Sequence, residues 1–206
     1  CLRMMQLVKS SSTPTIGICM GEIGMVTRIL ALHLGSPLTY CAMSSYRKLA
    51  PGQIEFQQMK NLYRPKEIDG KTRIFGVVGD PIAHSLSPLI HNTAFQHHGI
   101  NARYLPFRIS EDELALFVKW CRASGVSGLS VTIPHKEQML SMLDEAESAA
   151  VDIGAVNTVI FRGNNAAGYN TDYRAAMDCL QQALQTQKTL RNIEGQDEDL
   201  LLGRSV

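Results

Sequence analysis

The chain has 206 residues, 45% of them apolar, and a formal net charge of +1. That length suits one sizeable domain or one and a half; the near-neutral balance argues against a nucleic-acid face or an acidic solvating tail, and no apolar run is long enough to cross a bilayer. Cys1, Cys19, Cys41, Cys121 and Cys179 are far apart and form no CxxC, which points to reduced thiols in a cytoplasm-like compartment and away from a disulfide frame or a zinc cluster. In chain order, TPTIGICM (13–20) suits a buried strand, residues 25–34 have helical spacing through Met25, Ile29 and Leu30, and PLTYCAM (37–43) suits a second strand. The polar stretch 61–72, with Pro and Gly, is the best linker.

From Arg73 the pattern is richer. IFGVVG (74–79) reads as a buried strand. Ser87 then offers an N-cap oxygen, Pro88 fits the first helical turn, and Gly99 ends the helix. ARYLPFRI (102–109) reads as a strand whose Pro106 argues for an edge or a bulge. Ser110 and Glu113 form a capping box for a helix over 111–124. GLSVTI (128–133) is the next strand, followed by helices over 134–143 and near 144–151. Residues 155–162 and 166–170 flank the turn GNN, and Asp172 caps a helix to about Gln185. Strands alternating with helices predict an α/β fold with a mainly parallel sheet flanked by helices. Both ends read as cut: the chain opens on CLRMMQLVK without a Met, and LLLGRSV (200–206) reads as the start of a buried strand.

Four stretches fall at strand–helix junctions: HSLSP, SVTIPHK, GAVNT and YNTD. In a parallel sheet, ligands gather at the C-terminal strand ends. Ser85, Ser87, Thr132, Lys136, Asn157, Thr171 and Asp172 would then supply the hydroxyls, amide, amine and carboxylate that suit a polyhydroxylated acid. The paired serines are either a helix cap with a loop residue, or donors to a carboxylate at a helix N-terminus. Lys136 opposes the helix dipole in a first turn, so it is either a solvated surface lysine or an acid/base group. Asp172 caps its helix, and functionally it would pair with Lys136. Asn157 either bonds a ligand or ties two loops together. His84 and His135 lie at the rim of these stretches. No His/Asp/Glu spacing suits a metal, and no GxGxxG, GxSxG or P-loop occurs.

HSLSP, VTIPHK, GAVNT and GYNTD, in this order, resemble the substrate-binding domain of shikimate dehydrogenase over residues 73–190. The resemblance implies that Ser85 and Ser87 hold the shikimate carboxylate. It implies that Thr132, Asn157 and Thr171 contact the substrate, and that Lys136 and Asp172 are the catalytic pair. Ser130 departs from the family's usual asparagine. The segment GEIGMVTR, GSPLTY and APGQI resembles the end of a type I dehydroquinate dehydratase, so residues 1–60 would be the remnant of a (β/α)8 barrel. There Arg28 and Gln53 match substrate-binding positions, whereas Leu49 stands where the family has a serine. The combination is similar to the bifunctional dehydratase/shikimate dehydrogenase. It implies reduction of 3-dehydroshikimate with NADP bound by a downstream Rossmann half, whose start would be residues 191–206. The implied partner is the small-molecule substrate, with neither nucleic acid nor membrane, and the location is the cytoplasm, or a plastid in a plant. Two other readings remain, a lyase of the dehydratase type and a non-catalytic shikimate- or quinate-binding module. Residues 1–60 would pack on the second domain or stay loose.

Overall fold

A computed structural model of the chain describes the backbone of residues 1–202 and the side chains through residue 186, Ser45 apart. Two units are distinguished, Cys1–Tyr169 and Asn170–Val206. In the first, β1 (Arg73–Gly79), β2 (Ala102–Arg108), β3 (Val126–Val131), β4 (Glu145–Ala146), β5 (Thr158–Arg162) and β6 (Asn165–Tyr169) form one sheet in the order β2-β1-β3-β5-β6-β4. β1 runs parallel to β2 and β3, and β4 parallel to β6, while β5 is antiparallel to both of its neighbours. The fold is therefore α/β, with a mixed, largely parallel sheet flanked by helices. The antiparallel step follows from the GNN turn. Arg162 faces Asn165, which leaves a two-residue hairpin loop entered through Gly163 at φ 61°.

β2 is an edge strand, where Pro106 costs no ladder hydrogen bond. It is nonetheless covered on both faces, with every residue buried except the half-buried Arg108. On one face lie Leu105 and Phe107, which share a buried cluster with Met5, Ile29, Leu30, Ile54 and Phe117. So residues 1–60 do pack on the sheet: α1 (Leu2–Ser10) and α3 (Thr27–His33), with Ile54 and Met59, supply one side of the core, while the short α2 (Gly21–Gly24) and α4 (Phe56–Gln58) add no side chain to it. The two strands expected at 13–20 and 37–43 do not form, and a single bridge, Ala42 to Glu55, is what remains of the second. Neither run has a neighbouring strand to complete its backbone hydrogen bonds. The expected helix over 25–34 is the shorter α3. The stretch 61–72 is not slack either. A π-helical turn, Met59–Tyr63, and a 3-10 turn, Pro65–Glu67, meet at Arg64, which sits at φ 48°.

Arg103 of β2 fixes that junction. Its side chain is 1% exposed, and it donates from Nε to the Tyr63 carbonyl (2.5 Å) and from Nη2 to the Arg64 carbonyl (3.1 Å). Nη1 donates to the carbonyl of Ala102 at 2.7 Å. Burial foremost, and then the nearby Arg64, pull its pKa down to about 10, which still leaves it charged at neutral pH.

The remaining helices of the first unit are α5 (Ser87–His97), α6 (Leu114–Ser124), α7 (Lys136–Leu140) and α8 (Ser148–Ile153). α6 begins after a 3-10 turn, Glu111–Glu113, and ends at Gly125, whose φ of 78° suits a left-handed stop. The Ser110 hydroxyl meets the Glu113 carboxylate at 3.4 Å, not the backbone N–H that a capping box requires. α7 is shorter than its expected span because turns flank it, and α8 begins late because Glu145–Ala146, expected to be helical, pair with β6 as β4. In the second unit α9 spans Thr171–Leu202, longer than the helix expected to Gln185. It includes the first three residues of LLLGRSV; residues 203–206, and the side chains on which a Rossmann start over 191–206 depends, lie outside the described residues. No helix among the described residues is long and apolar enough to cross a membrane.

Asp144 gives an acid-stability prediction. It accepts the Ala166 N–H at 2.7 Å and a hydrogen bond from Arg122 Nη1. The backbone bond first, then Arg122, hold its carboxyl below the usual range. A folded-state pKa below the unfolded value means stability that is full above about pH 4 and lost as pH falls through the folded value. In urea unfolding at pH 2 to 6, Asp144→Asn is expected to flatten that acid slope, and an unchanged slope would contradict the assignment.

Candidate active site

The site is built where β1 and β3 end. Thr132 N–H donates to the Val78 carbonyl (3.0 Å) and Asp80 N–H to the Ile133 carbonyl (3.1 Å), so the loops after the two strands are laced together. Gly79 permits this approach, since a Cβ there would lie 2.5 Å from Thr132 Cγ2. The GAVNT loop joins through Val156 N–H to the Lys136 carbonyl (2.9 Å). The Val131 N–H donates to the Asn157 carbonyl (2.7 Å), and the Asn157 N–H to the Tyr169 carbonyl (3.0 Å). SVTIPHK and GAVNT therefore meet at one sheet end, bonded also to the loop that leads from β1 into HSLSP.

Within it, Ser85, Ser87, Thr132 and Lys136 are half-buried and Asn157 is buried. Ser87 is the first helical residue of α5 rather than its N-cap, which is Leu86 without a side-chain bond. The capping role falls to Ser85, whose Oγ accepts the Ser87 N–H at 3.3 Å. Two half-buried hydroxyls thus stand at the N-terminus of an eleven-residue helix, a setting that favours an anion. Lys136 opens α7 behind His135. The Asn157 side chain accepts the Thr158 hydroxyl at 3.0 Å, and its backbone ties β3 to β6, so the loop-tying role is real whatever else it does.

His135 is not at a rim. It is fully buried, and its Nε2 meets the Ile109 carbonyl at 2.8 Å. A carbonyl only accepts, so Nε2 carries the proton; Nδ1 is buried without a partner. His135 thereby pins the VTIPHK turn to the end of β2. His84 is exposed. Thr171 and Asp172 belong to the second unit, in the first turn of α9. The Asn170 side chain, not Asp172, caps that helix, accepting the Tyr173 N–H at 3.1 Å.

Arg28 and Gln53 are brought side by side around Gly52. Arg28 is 2% exposed, and its Nε and Nη1 donate to the carbonyls of Gly52 (3.1 Å) and Tyr40 (3.3 Å). Burial lowers its pKa. Gln53 Oε1 accepts the Leu49 N–H at 2.8 Å. Both side chains thus hold their own loop. A cavity of about 670 Å³ opens beside them, lined by Glu22, Gln53, Asn61, Ser85 and Arg108 among others, but not by Thr132, Lys136 or Asn157. Among the described residues no cluster of His, Cys, Asp and Glu could hold a metal ion.

Sequence reasoning missed Tyr104 and Asn92. Tyr104 Oη donates to Ser130 Oγ at 2.7 Å, and Asn92 bonds both the carbonyl and the N–H of Tyr104. The one available signal was Ser130 itself, as a departure from the usual asparagine.

These stretches are shared with known proteins. Residues 77–159 match the family model described as the shikimate dehydrogenase substrate binding domain, and residues 1–69 match that of type I 3-dehydroquinase. Among individual relatives, the chain is 36% identical over 186 residues to the bifunctional 3-dehydroquinate dehydratase/shikimate dehydrogenase of Arabidopsis thaliana, a chloroplastic protein. That match covers 89% of this chain and 30% of that one. It is 52% identical over 100 residues to the NADP(+) shikimate dehydrogenase of Bacillus cytotoxicus, covering 48% of this chain and 36% of the relative. A crystal structure of shikimate 5-dehydrogenase from Listeria monocytogenes, with shikimate and NAD, superposes with a TM-score of 0.52 at 38% identity, over 55% of this chain and 39% of that one. The chain thus spans about a third of the length of these curated relatives.

Proposed function

We propose that this chain is the substrate-binding part of an NADP-dependent shikimate dehydrogenase that interconverts 3-dehydroshikimate and shikimate, fused behind a 3-dehydroquinate dehydratase segment. In this reading residues 1–60 are the end of the dehydratase barrel, 61–72 a linker, 73–190 the substrate domain and 191–206 the start of a nucleotide-binding half. The observation that supports it is the lacing of SVTIPHK to GAVNT and to the loop that leads from β1 into HSLSP, with two serine hydroxyls at the N-terminus of α5. Ser85 and Ser87 bind the carboxylate. Thr132, Asn157 and Thr171 bind the ring hydroxyls. Lys136 and Asp172 are the proposed catalytic residues, Lys136 as the group that moves a proton at the reacting oxygen. In the dehydratase segment Arg28 and Gln53 are the proposed substrate contacts. The partner is the small-molecule substrate, and the setting is the cytoplasm or a plastid.

NADP would supply the hydride. The strand-to-helix turns among the described residues lack the paired glycines that a dinucleotide pyrophosphate needs. The chain's own residues bind, orient and protonate. Calorimetric titration of shikimate into the chain tests the binding role. Saturable heat is expected, weakened roughly tenfold or more by Ser87→Ala. Absence of binding at millimolar shikimate would overturn the reading.

A further inference from the structure

Arg108, at the end of β2, holds two carboxylates at once. Its Nη1 donates to Glu22 of α2 at 2.7 Å, and its Nε donates to Asp80 at 2.8 Å. Asp80 opens the loop that leads to Ser85, and its N–H is tied to the Ile133 carbonyl (3.1 Å). Arg108 and Ser85 line the same cavity, whose charged lining residues are Glu22, Lys48 and Arg108. Counted with Asp80, which Arg108 holds, two carboxylates are balanced there by two cations.

The pairing does little for the fold. The Arg108 side chain is 37% exposed and that of Glu22 67%, and ion pairs this open to water contribute about 0–1 kcal/mol. Its larger effect is on the local field. Without the guanidinium, Glu22 and Asp80 would stand uncompensated beside a site proposed to take an anion, and like charges across a binding site oppose association. The Asp80 hydrogen bond foremost, then the charge of Asp80, raise the Arg108 pKa above its ordinary value, so the group stays a cation.

We infer that Arg108 is a specificity-determining residue for an anionic ligand at Ser85 and Ser87: by neutralising Glu22 and Asp80 it keeps this side of the site from repelling a carboxylate. This rests on the substrate reading above. The helix N-terminus draws an anion only over its first turn, and a net negative charge beside that turn would cancel part of the attraction. Arg108 acts without touching the ligand, since its Nε and Nη1 are already engaged by the two carboxylates. The effect is one of charge rather than of a particular contact. Restoring the charge balance therefore restores binding even when the bridge itself is gone.

The test is calorimetric titration of shikimate into the chain as wild type, Arg108→Gln, Glu22→Gln and the double variant Arg108→Gln/Glu22→Gln. At about 0.01 M salt, where the Debye length is about 30 Å, Arg108→Gln is expected to weaken binding roughly three- to tenfold. Glu22→Gln, which leaves Arg108 to Asp80 alone, is expected to tighten it roughly two- to threefold. The double variant, with Asp80 and Lys48 in balance, is expected to return to within about twofold of the wild type. At about 1 M salt, where the Debye length is about 3 Å, the four chains are expected to agree within about twofold. A bridge that merely braces the loop behaves differently: Glu22→Gln then binds no tighter than the wild type, the double variant stays as weak as Arg108→Gln, and salt does not close the gap. Any of these results, or an Arg108→Gln chain that binds as the wild type does, overturns the inference. Should Arg108→Gln fail to fold, the sign of the Glu22→Gln change decides alone. A wild-type chain that binds no shikimate overturns the substrate reading itself, and this inference with it.

Discussion

In a longer protein that carries the nucleotide-binding half, Lys136→Ala is expected to lower kcat by roughly 10²- to 10⁴-fold while the KM for shikimate changes little. In the proposed role the ammonium would donate a proton, a benefit that arises in the transition state, where charge develops on the reacting oxygen. Carboxylate anchoring, the larger share of ground-state binding in this account, is left to Ser85 and Ser87. Lys136 is suited to the task by its support as much as by its chemistry. Its carbonyl holds the GAVNT loop through Val156 N–H, and the preceding His135 is pinned to the Ile109 carbonyl. Steady-state kinetics separate the roles: a rise in KM with kcat intact would make Lys136 a binding residue and remove the catalytic assignment.

Arg103→Ala is expected to destabilise the chain by about 3–5 kcal/mol. The substitution strips donors from the carbonyls of Tyr63, Arg64 and Ala102 and leaves a void where a 1% exposed side chain stood. Buried carbonyls without donors cost about 1–3 kcal/mol each, and the void adds to that. The loss is read from the midpoint of urea unfolding followed by far-UV dichroism. A change under about 1 kcal/mol would mean that water replaces the guanidinium and that the junction near Arg64 is not held by it.

How far the sequence could be read varied with the kind of signal. Strands β1, β2 and β3 were legible because each is a short run of buried residues bounded by turn residues. The antiparallel hairpin β5–β6 was marked by GNN. The strands expected at 13–20 and 37–43 failed for a reason invisible to periodicity: a strand exists only with a partner, and these runs have almost none. The cap at α5 was misplaced by two residues because Ser85, in the turn, reaches the Ser87 N–H first. Asp172 lost its cap to Asn170 for a similar reason of one-residue geometry. That SVTIPHK and GAVNT lie at one sheet end was legible because both stretches sit at junctions of strand and loop. Tyr104 and Asn92 were not, since a buried tyrosine on a strand and a buried asparagine on a helix look like ordinary core and surface until their mutual bonds are seen. His135 was misjudged because its neighbour Lys136 is half-buried, and sequence proximity does not tell which side of a turn faces inward.

The central claim is that this sheet end is a preformed carboxylate-anchored shikimate site, and a crystal structure of the chain soaked with shikimate tests it most directly. The account predicts the shikimate carboxylate within hydrogen-bonding distance of the Ser85 and Ser87 hydroxyls, with the ring hydroxyls directed toward Thr132, Lys136 and Asn157. Shikimate seated instead in the cavity beside Gln53 and Arg108, away from Thr132 and Lys136, would contradict it.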